Sequence, residues 1–367
     1  MQFIDLKEQY KRIKIDVDNR INEVLEHGQY IMGPEVTVLE DKLAQFVGAK
    51  YCLSCSSGTD ALLIALMAKG ISPGDKIITT PFTYIATAEV IKLLGAEPVF
   101  VDIDPRTFNI DCNQINSLSN KQDIKGIIPV NLFGLSADYD SIYEISKKYK
   151  FFVLEDAAQS FGADYKNKKS GSLGDISATS FFPAKPLGCY GDGGAIFTDN
   201  QALYNIMESI RVHGKGENKY DCDRLGLNGR LDTIQAAILL SKLNIYEEEI
   251  NLRQDVANLY SEKLKNYVEV PFIPESYLSV WAQYSILLKD EFVRENVIKN
   301  LKKENIPSVI YYQKPLHIQK TFNSLDYSWG DFPVSENVST RILSLPMHPY
   351  LSSLDIDRIC KIITSSI

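Results

Sequence analysis

Apolar residues recur at helical spacing near the start of the chain, at Ile13, Val17, Ile21, Val24 and Leu25, and Gly28 offers a C-terminal stop. After the loop Gln29–Pro34, a second helical stripe runs Val36, Leu39, Leu43 and Phe46, with Pro34 suited to its first turn. The pattern then changes to short, continuous apolar runs alternating with amphipathic ones. Strands are predicted at Tyr51–Cys55, Lys76–Thr80, Val99–Asp102, Gly126–Val130, Phe151–Leu154, Ile176–Phe182 and Ala195–Thr198. Helices are predicted at Ala61–Lys69, Ala86–Leu94 and Tyr139–Lys148. Buried Val/Ile/Phe-rich strands separated by helices predict an α/β fold with a mainly parallel sheet. From about residue 245 the character shifts: a charged helical stretch, Glu247–Leu264, reads as a connector. A strand at Tyr284–Leu288, a helix at Glu291–Glu304 and a last helix from Leu354 follow. The expected organisation is a large domain over residues 1–245 and a smaller α+β domain over 246–367.

Composition narrows the function classes. Hydrophobic residues make up 45% of the 367 and charged residues 23%, as in a globular, water-facing protein. No apolar run is long enough to span a bilayer and the first residues lack a signal pattern, so a cytoplasmic location without membrane partners is expected. A net charge of -8 argues against general nucleic-acid binding. Of the six cysteines only Cys52 and Cys55 are close, and no second pair or nearby histidine completes a metal site. All six read as reduced thiols, and no metal is expected.

The candidate chemistry lies at strand ends, where ligands of open α/β sheets sit. Ser56-Ser-Gly58-Thr59 opens a helix, so its amides, the Thr59 hydroxyl and the helix dipole suit a phosphate; an ordinary N-cap is the commoner use of such residues. Glu155-Asp156-Ala-Ala158-Gln159 leaves an apolar strand straight into acid. Asp156 is either a solvated loop residue or the partner of a protonated ring nitrogen, and Ala157 and Ala158 leave room for a flat ligand. Tyr84 is a stacking platform or a core aromatic. Lys185 stands between the strand ending at Ser180–Phe182 and the glycine-rich turn Gly191-Asp-Gly-Gly194. It is a solvated loop lysine, or an amine placed to form a Schiff base. A phosphate nest, an aromatic lid, a carboxylate, small residues and a lysine together make the set that a pyridoxal phosphate enzyme needs.

Those residues, with Gly33-Pro34, Ser57-Gly-Thr-Asp-Ala-Leu62, Thr83-Tyr-Ile-Ala-Thr87, Val101-Asp-Ile-Asp104, Ser180-Phe-Phe-x-x-Lys185, His213-Gly214 and Asn228-Gly-Arg-Leu-Asp232, resemble the DegT-type nucleotide-sugar aminotransferases from end to end. These are fold-type I pyridoxal phosphate enzymes. The resemblance implies that Lys185 carries the cofactor and later shuttles a proton, and that Asp156 pairs with the pyridine nitrogen. It implies that Gln159 bonds the ring 3-hydroxyl, that Tyr84 and Ala158 cover the two ring faces, and that Gly58, Thr59 and Ser180 take the phosphate. Asn228 then reaches the phosphate of a neighbouring subunit in a homodimer with shared sites. Arg230 is placed for a substrate carboxylate, and Tyr30, Tyr311, Tyr312 and His317 for the substrate wall.

One segment departs from the family pattern. Many members read His-Tyr-Pro before Pro-Leu, where this chain has Tyr311-Tyr312-Gln313-Lys314-Pro315-Leu316-His317. The implied substrates are L-glutamate as donor and a nucleotide-linked keto-sugar as acceptor. The chain looks most like the bacterial enzymes that aminate C3 of UDP-2-acetamido-2-deoxy-3-oxo-glucuronate for O-antigen synthesis, through Gln159, Gly28-Gln-Tyr-Ile31 and Ser344-Leu-Pro-Met-His-Pro-Tyr350. A dTDP-3-oxo-6-deoxyhexose is the alternative acceptor. Two rival readings have their own signatures. The family's sugar dehydratases replace the lysine with histidine, and a non-catalytic sensor would show erosion of the lysine, aspartate or phosphate residues. Neither signature is present.

Overall fold

The computed structural model describes residues 1–118, 124–218 and 220–367. Leu6–His27 (α1) ends at Gly28, whose φ of 70° is left-handed and whose N–H donates to Val24 O at 3.0 Å. Pro34–Val47 (α2) starts on its proline, as the pattern predicts. Then Tyr51–Cys55 (β1), Gly58–Ala68 (α3), Lys76–Thr79 (β2), Ala86–Leu93 (α4), Glu97–Phe100 (β3), Cys112–Leu118 (α5), Ile124–Ile127 (β4), Tyr139–Tyr149 (α6) and Phe152–Asp156 (β5) alternate. Two short strands, Asp164–Tyr165 (β6) and Lys168–Lys169 (β7), precede Ile176–Ser180 (β8) and Gly194–Thr198 (β9). Gln201–Arg211 (α7) and Thr233–Leu264 (α8) follow. The remainder is Tyr277–Leu278 (β10), Tyr284–Leu287 (β11), Glu291–Lys303 (α9), Pro333–Arg341 (α10), Ile342–Leu345 (β12) and Ser353–Thr364 (α11).

The central sheet has the order β1-β9-β8-β5-β4-β2-β3. Pairing is parallel from β8 through β5, β4 and β2 to β3, and only β9 runs against both its neighbours. The mainly parallel sheet expected from the alternation is therefore what forms. The third strand sits two residues earlier than its apolar run suggests, because Lys76 pairs with Glu97 and Thr79 with Phe100. That edge position also tolerates Pro98, which has no N–H to give. Asp102, just beyond, is buried and caps the first turn of α10: it accepts from Val334 N at 2.8 Å, Ser335 N at 2.9 Å and Ser335 Oγ at 2.6 Å. The sheet edge is thereby tied to the C-terminal part of the chain.

The largest difference from the sequence reading is α8. It spans 32 residues from Thr233, not from Glu247, and residues 245 and 246 lie inside it. Its stretch from Ala236 to Lys242 is buried on every side, so no amphipathic period marks it. Leu239, Leu240, Tyr246 and Ile250 pack with α2 residues and with Phe161, Phe181 and Phe197. Val256, Ala257, Tyr260 and Leu264 pack instead with Tyr284, Ile286, Leu343 and Ile359 around the β11–β12 pair. A helix of this length is about 48 Å long and serves both cores. No helix among the described residues is long and apolar enough to cross a membrane.

Candidate active site

The C-terminal ends of β1, β2, β5 and β8 bring the chemistry-bearing residues to one rim of the sheet. At the end of β1 the chain turns through Ser56 and Ser57 into α3. Ser57 caps that helix, its Oγ accepting from Asp60 N at 3.0 Å. The amides of Gly58 and Thr59 have no acceptor among the described residues, so they stand open at the positive end of the helix dipole. Ser180, at the end of β8, lies directly against this turn. A Cβ on Gly58 would come within 2.6 Å of Ser180 Cβ, so glycine is required for the approach. The Ser180 oxygen accepts from Phe182 N at 3.2 Å and keeps its own proton to donate.

Beyond Ser180 the chain folds over itself: Lys185 N donates to Phe182 O, and Cys189 N to Phe181 O, both at 2.8 Å. A Cβ on Gly188 would meet Phe182 O at 2.6 Å. From below, the buried Lys242 of α8 grips the turn, donating to Gly188 O at 2.6 Å and lying 4.1 Å from the Tyr190 ring centre. Burial pushes the Lys242 ammonium down to about 8. Lys185 itself is half-buried, and no hydrogen bond holds its Nζ among the described residues. Burial lowers its pKa below the ordinary lysine range, and the charge of Asp156 opposes that. An amine with a depressed pKa and an unengaged Nζ suits carbonyl chemistry.

Asp156 ends β5 and is only 4% exposed. Its Oδ2 accepts from Thr87 Oγ1 at 2.8 Å and its Oδ1 from Ala158 N at 3.1 Å. Burial raises its pKa, while Thr87, the Ala158 amide and the Lys185 charge draw it back. Glu155, one residue earlier, points to the opposite face of the strand. Its Oε1 accepts from Asn131 Nδ2 at 2.8 Å, Ser170 Oγ at 2.6 Å and Gly171 N at 3.0 Å; its Oε2 accepts from Leu173 N at 2.9 Å and Ser177 Oγ at 2.6 Å. Of two adjacent acids, then, one fastens the loop behind the strand and the other faces the ligand side.

Gln159 is buried, with its Oε1 accepting from Phe133 N at 2.9 Å and its Nε2 donating to the Tyr312 hydroxyl at 3.0 Å. Tyr84 is 59% exposed, offering a ring face to whatever lies above the rim. Tyr311 leans on Tyr312 and on Phe3, with ring centres 5.7 and 6.4 Å away. Arg230 is half-buried and its Nε is enclosed without a partner among the described residues. Asn228 and Tyr30 are exposed, as are Ile31 and Met32. His317 is not gathered with the others. It is 1% exposed, its Nε2 sits 3.1 Å from Glu336 Oε1, and its ring packs on Phe332.

Sequence reasoning passed over the roles of Thr87, Glu155, Asn131 and Lys242. Period-2 alternation in β5 would have put Glu155 and Asp156 on opposite faces, but not said which face meets the ligand. Lys242, amid seven consecutive buried residues, had the signal of a lone charge in an apolar run.

A lysine with an unengaged amine, a buried carboxylate without an ion pair among the described residues, and open amides at a helix start are what an enzyme working through a phosphorylated, ring-nitrogen cofactor would need. The residues fit pyridoxal phosphate. The close Gly58–Ser180 approach would shape a phosphate end, and Asp156, without an ion pair among the described residues, would answer a cationic ring nitrogen. Residues 11–364 match the DegT/DnrJ/EryC1/StrS aminotransferase family, and the chain belongs to it. It is 51% identical over 366 residues, covering 100% of both chains, to the UDP-2-acetamido-2-deoxy-3-oxo-D-glucuronate aminotransferase of Pseudomonas aeruginosa. A DegT DnrJ EryC1 StrS aminotransferase from Brucella abortus superposes with a TM-score of 0.95 at 48% identity, over 100% of this chain and 99% of that one. The Bacillus subtilis protein ntda, solved with bound cofactor PMP, superposes with a TM-score of 0.90 at 30% identity, over 99% and 83%. The chain is thus an aminotransferase that uses pyridoxal phosphate.

Proposed function

We propose that this aminotransferase moves an amino group from L-glutamate to C3 of UDP-2-acetamido-2-deoxy-3-oxo-D-glucuronate, in the cytoplasm, for O-antigen or other surface polysaccharide. The observation that carries this reading is the full-length 51% identity to the Pseudomonas aeruginosa enzyme in a chain that keeps Lys185 and Asp156. Pyridoxal phosphate supplies an aldehyde that exchanges amino groups and a ring that accepts the electron pair left when a C–H proton departs. The chain's residues do the rest. Lys185 Nζ holds the cofactor and, once released, takes and returns the proton at the substrate carbon. Asp156, whose carboxylate form is favoured by the hydrogen bonds from Thr87 and Ala158 N, holds the ring nitrogen protonated. Gly58, Thr59 and Ser180 bind the phosphate, Tyr84 and Ala158 cover the ring, and Gln159 donates to its 3-oxygen.

Arg230 meets the glutamate carboxylate and then the uronate carboxylate, and its unpartnered Nε supports that role. Tyr30, Tyr311 and Tyr312 line the acceptor side. His317, fastened to Glu336, supports that wall from behind. Exposed Asn228, with the exposed apolar run Tyr30, Ile31 and Met32, supports a two-fold homodimer in which each subunit completes its partner's phosphate site. The division into a large domain to residue 245 and a small one after it is proposed with α8 as the element common to both. Tyr311 and Gln313 depart from the family's usual wall and keep open one alternative acceptor, a dTDP-3-oxo-6-deoxyhexose.

A panel of UDP- and dTDP-linked keto-sugars incubated with glutamate and read by mass spectrometry tests the assignment. Amination of the 3-oxo-uronate is expected. Efficient amination of the deoxyhexose with none of the uronate overturns the substrate, and bleaching of the yellow enzyme by glutamate separates catalyst from sensor.

A further inference from the structure

Gln159 and Tyr312 lie 153 residues apart and meet at 3.0 Å. The sense of the Gln159 carboxamide is set by a backbone donor: Phe133 N–H points at Oε1 from 2.9 Å, so Nε2 carries the protons. One of those protons goes to the Tyr312 oxygen. The tyrosine must then send its own proton elsewhere, because Nε2 has no lone pair to accept it. Among the described residues no group takes that proton, nor the second one on Nε2. An N–H and an O–H donor are left side by side near the rim: Gln159 follows Asp156 by three residues, and the Tyr312 ring packs edge-on against Phe82, two residues before Tyr84. Burial pushes the phenol above its ordinary range, opposed by the Gln159 hydrogen bond and helped by the Asp156 charge, so it stays a donor. The Tyr312 ring is wedged between Phe82 and Tyr311, with ring centres 5.9 and 5.7 Å away.

We propose that the Tyr312 hydroxyl and Gln159 Nε2 form a two-donor cradle for one anionic ring oxygen, the 3-oxygen of pyridoxal phosphate. Tyr312 is therefore a cofactor-binding residue that tunes the ring, not only a piece of the sugar wall. This rests on the assignment of Gln159 to that oxygen. A carboxamide alone offers one donor to an anion; the phenol from the C-terminal part of the chain supplies the second.

The cradle has a spectroscopic consequence. The proton gained by the bound chromophore on acidification lies beside the 3-oxygen and neutralises the charge that the two donors stabilise. Removing a donor favours the protonated form, so the pH midpoint of the visible band moves upward. For Tyr312→Phe, which keeps the wedged ring, the expected shift is about one pH unit, the size of one charged hydrogen bond. Rebinding of pyridoxal phosphate to the apo-protein weakens about tenfold by the same reasoning. Gln159→Leu shifts the midpoint in the same direction. An unmoved midpoint in Tyr312→Phe, with normal cofactor affinity and a raised sugar KM, overturns the cradle and returns Tyr312 to the sugar wall alone. A native protein without any pH-dependent visible band would instead overturn the cofactor assignment of Gln159, a result distinguishable from failure of the tyrosine.

Discussion

Glu155→Gln is the most exacting perturbation the structure offers. The native carboxylate receives five donors, three on Oε1 and two on Oε2, and each oxygen faces a backbone amide: Gly171 N at 3.0 Å on one side, Leu173 N at 2.9 Å on the other. A carboxamide cannot satisfy both. Whichever way it is turned, its NH2 meets an N–H that has no other partner among the described residues. Leaving a buried donor unsatisfied costs about 1–3 kcal/mol, and the weakened charge-assisted bonds add a similar amount. Removing the charge recovers part of the burial penalty, since burial raises the Glu155 pKa while its donors lower it. The net expectation is a loss of about 3 kcal/mol, a large share of the 5–15 kcal/mol that holds a typical fold. Urea unfolding of the apo-protein at fixed concentration measures it without a contribution from the cofactor and with that of assembly held constant. A Glu155→Gln protein within about 0.5 kcal/mol of native would show that the loop Ser170–Ser177 rearranges freely, and that Asp156 is not held from behind.

Three further outcomes test the site. Thr87→Val removes a donor from the ionised form of Asp156, so the carboxylate pKa, already raised by burial, rises further; the acid limb of the kcat/KM profile should move to higher pH by about one unit, and an unmoved limb refutes the role given to Thr87. Lys185→Ala should abolish turnover in a folded protein, and mixing it with Asn228→Ala subunits should restore one intact site per heterodimer; no gain after proven subunit exchange counts against the shared site. Arg230→Ala should slow both the glutamate and the uronate half-reactions, each by about 1.5–3 kcal/mol, in single-turnover measurements, whereas an effect on glutamate alone would point to an acceptor without a carboxylate.

What was legible in the chain follows from how far each signal reaches. The sheet announced itself because parallel strands buried on both faces need uninterrupted apolar runs, as at Phe152–Leu154 and Ile176–Ala178. Asp156 and Lys185 were legible because each breaks such a run at its end. The stretch of α8 from Ala236 to Lys242 was not, since a helix enclosed on all sides has no polar face to give it a period. Thr87 and Tyr312 were illegible as partners of Asp156 and Gln159, because hydrogen bonds across 69 and 153 residues leave no local trace. His317 shows the converse: its surroundings read as substrate wall, yet its own bond is to Glu336.

The uninterrupted helix α8 also bears on how such enzymes can be recombined. Its Tyr246 and Ile250 belong to one hydrophobic core, and Val256 and Tyr260, a few turns on, belong to the other. A chimera that takes its cofactor half from one parent and its C-terminal half from another, joined near residue 245, inherits a helix with each end shaped for a different parent's interior. The better crossover points are past the end of that helix, after Leu264, or in the loop before Thr233. New acceptor specificities should therefore travel between lineages as whole C-terminal cassettes carried on their own helix, or with that helix left behind intact, and rarely as halves spliced through it.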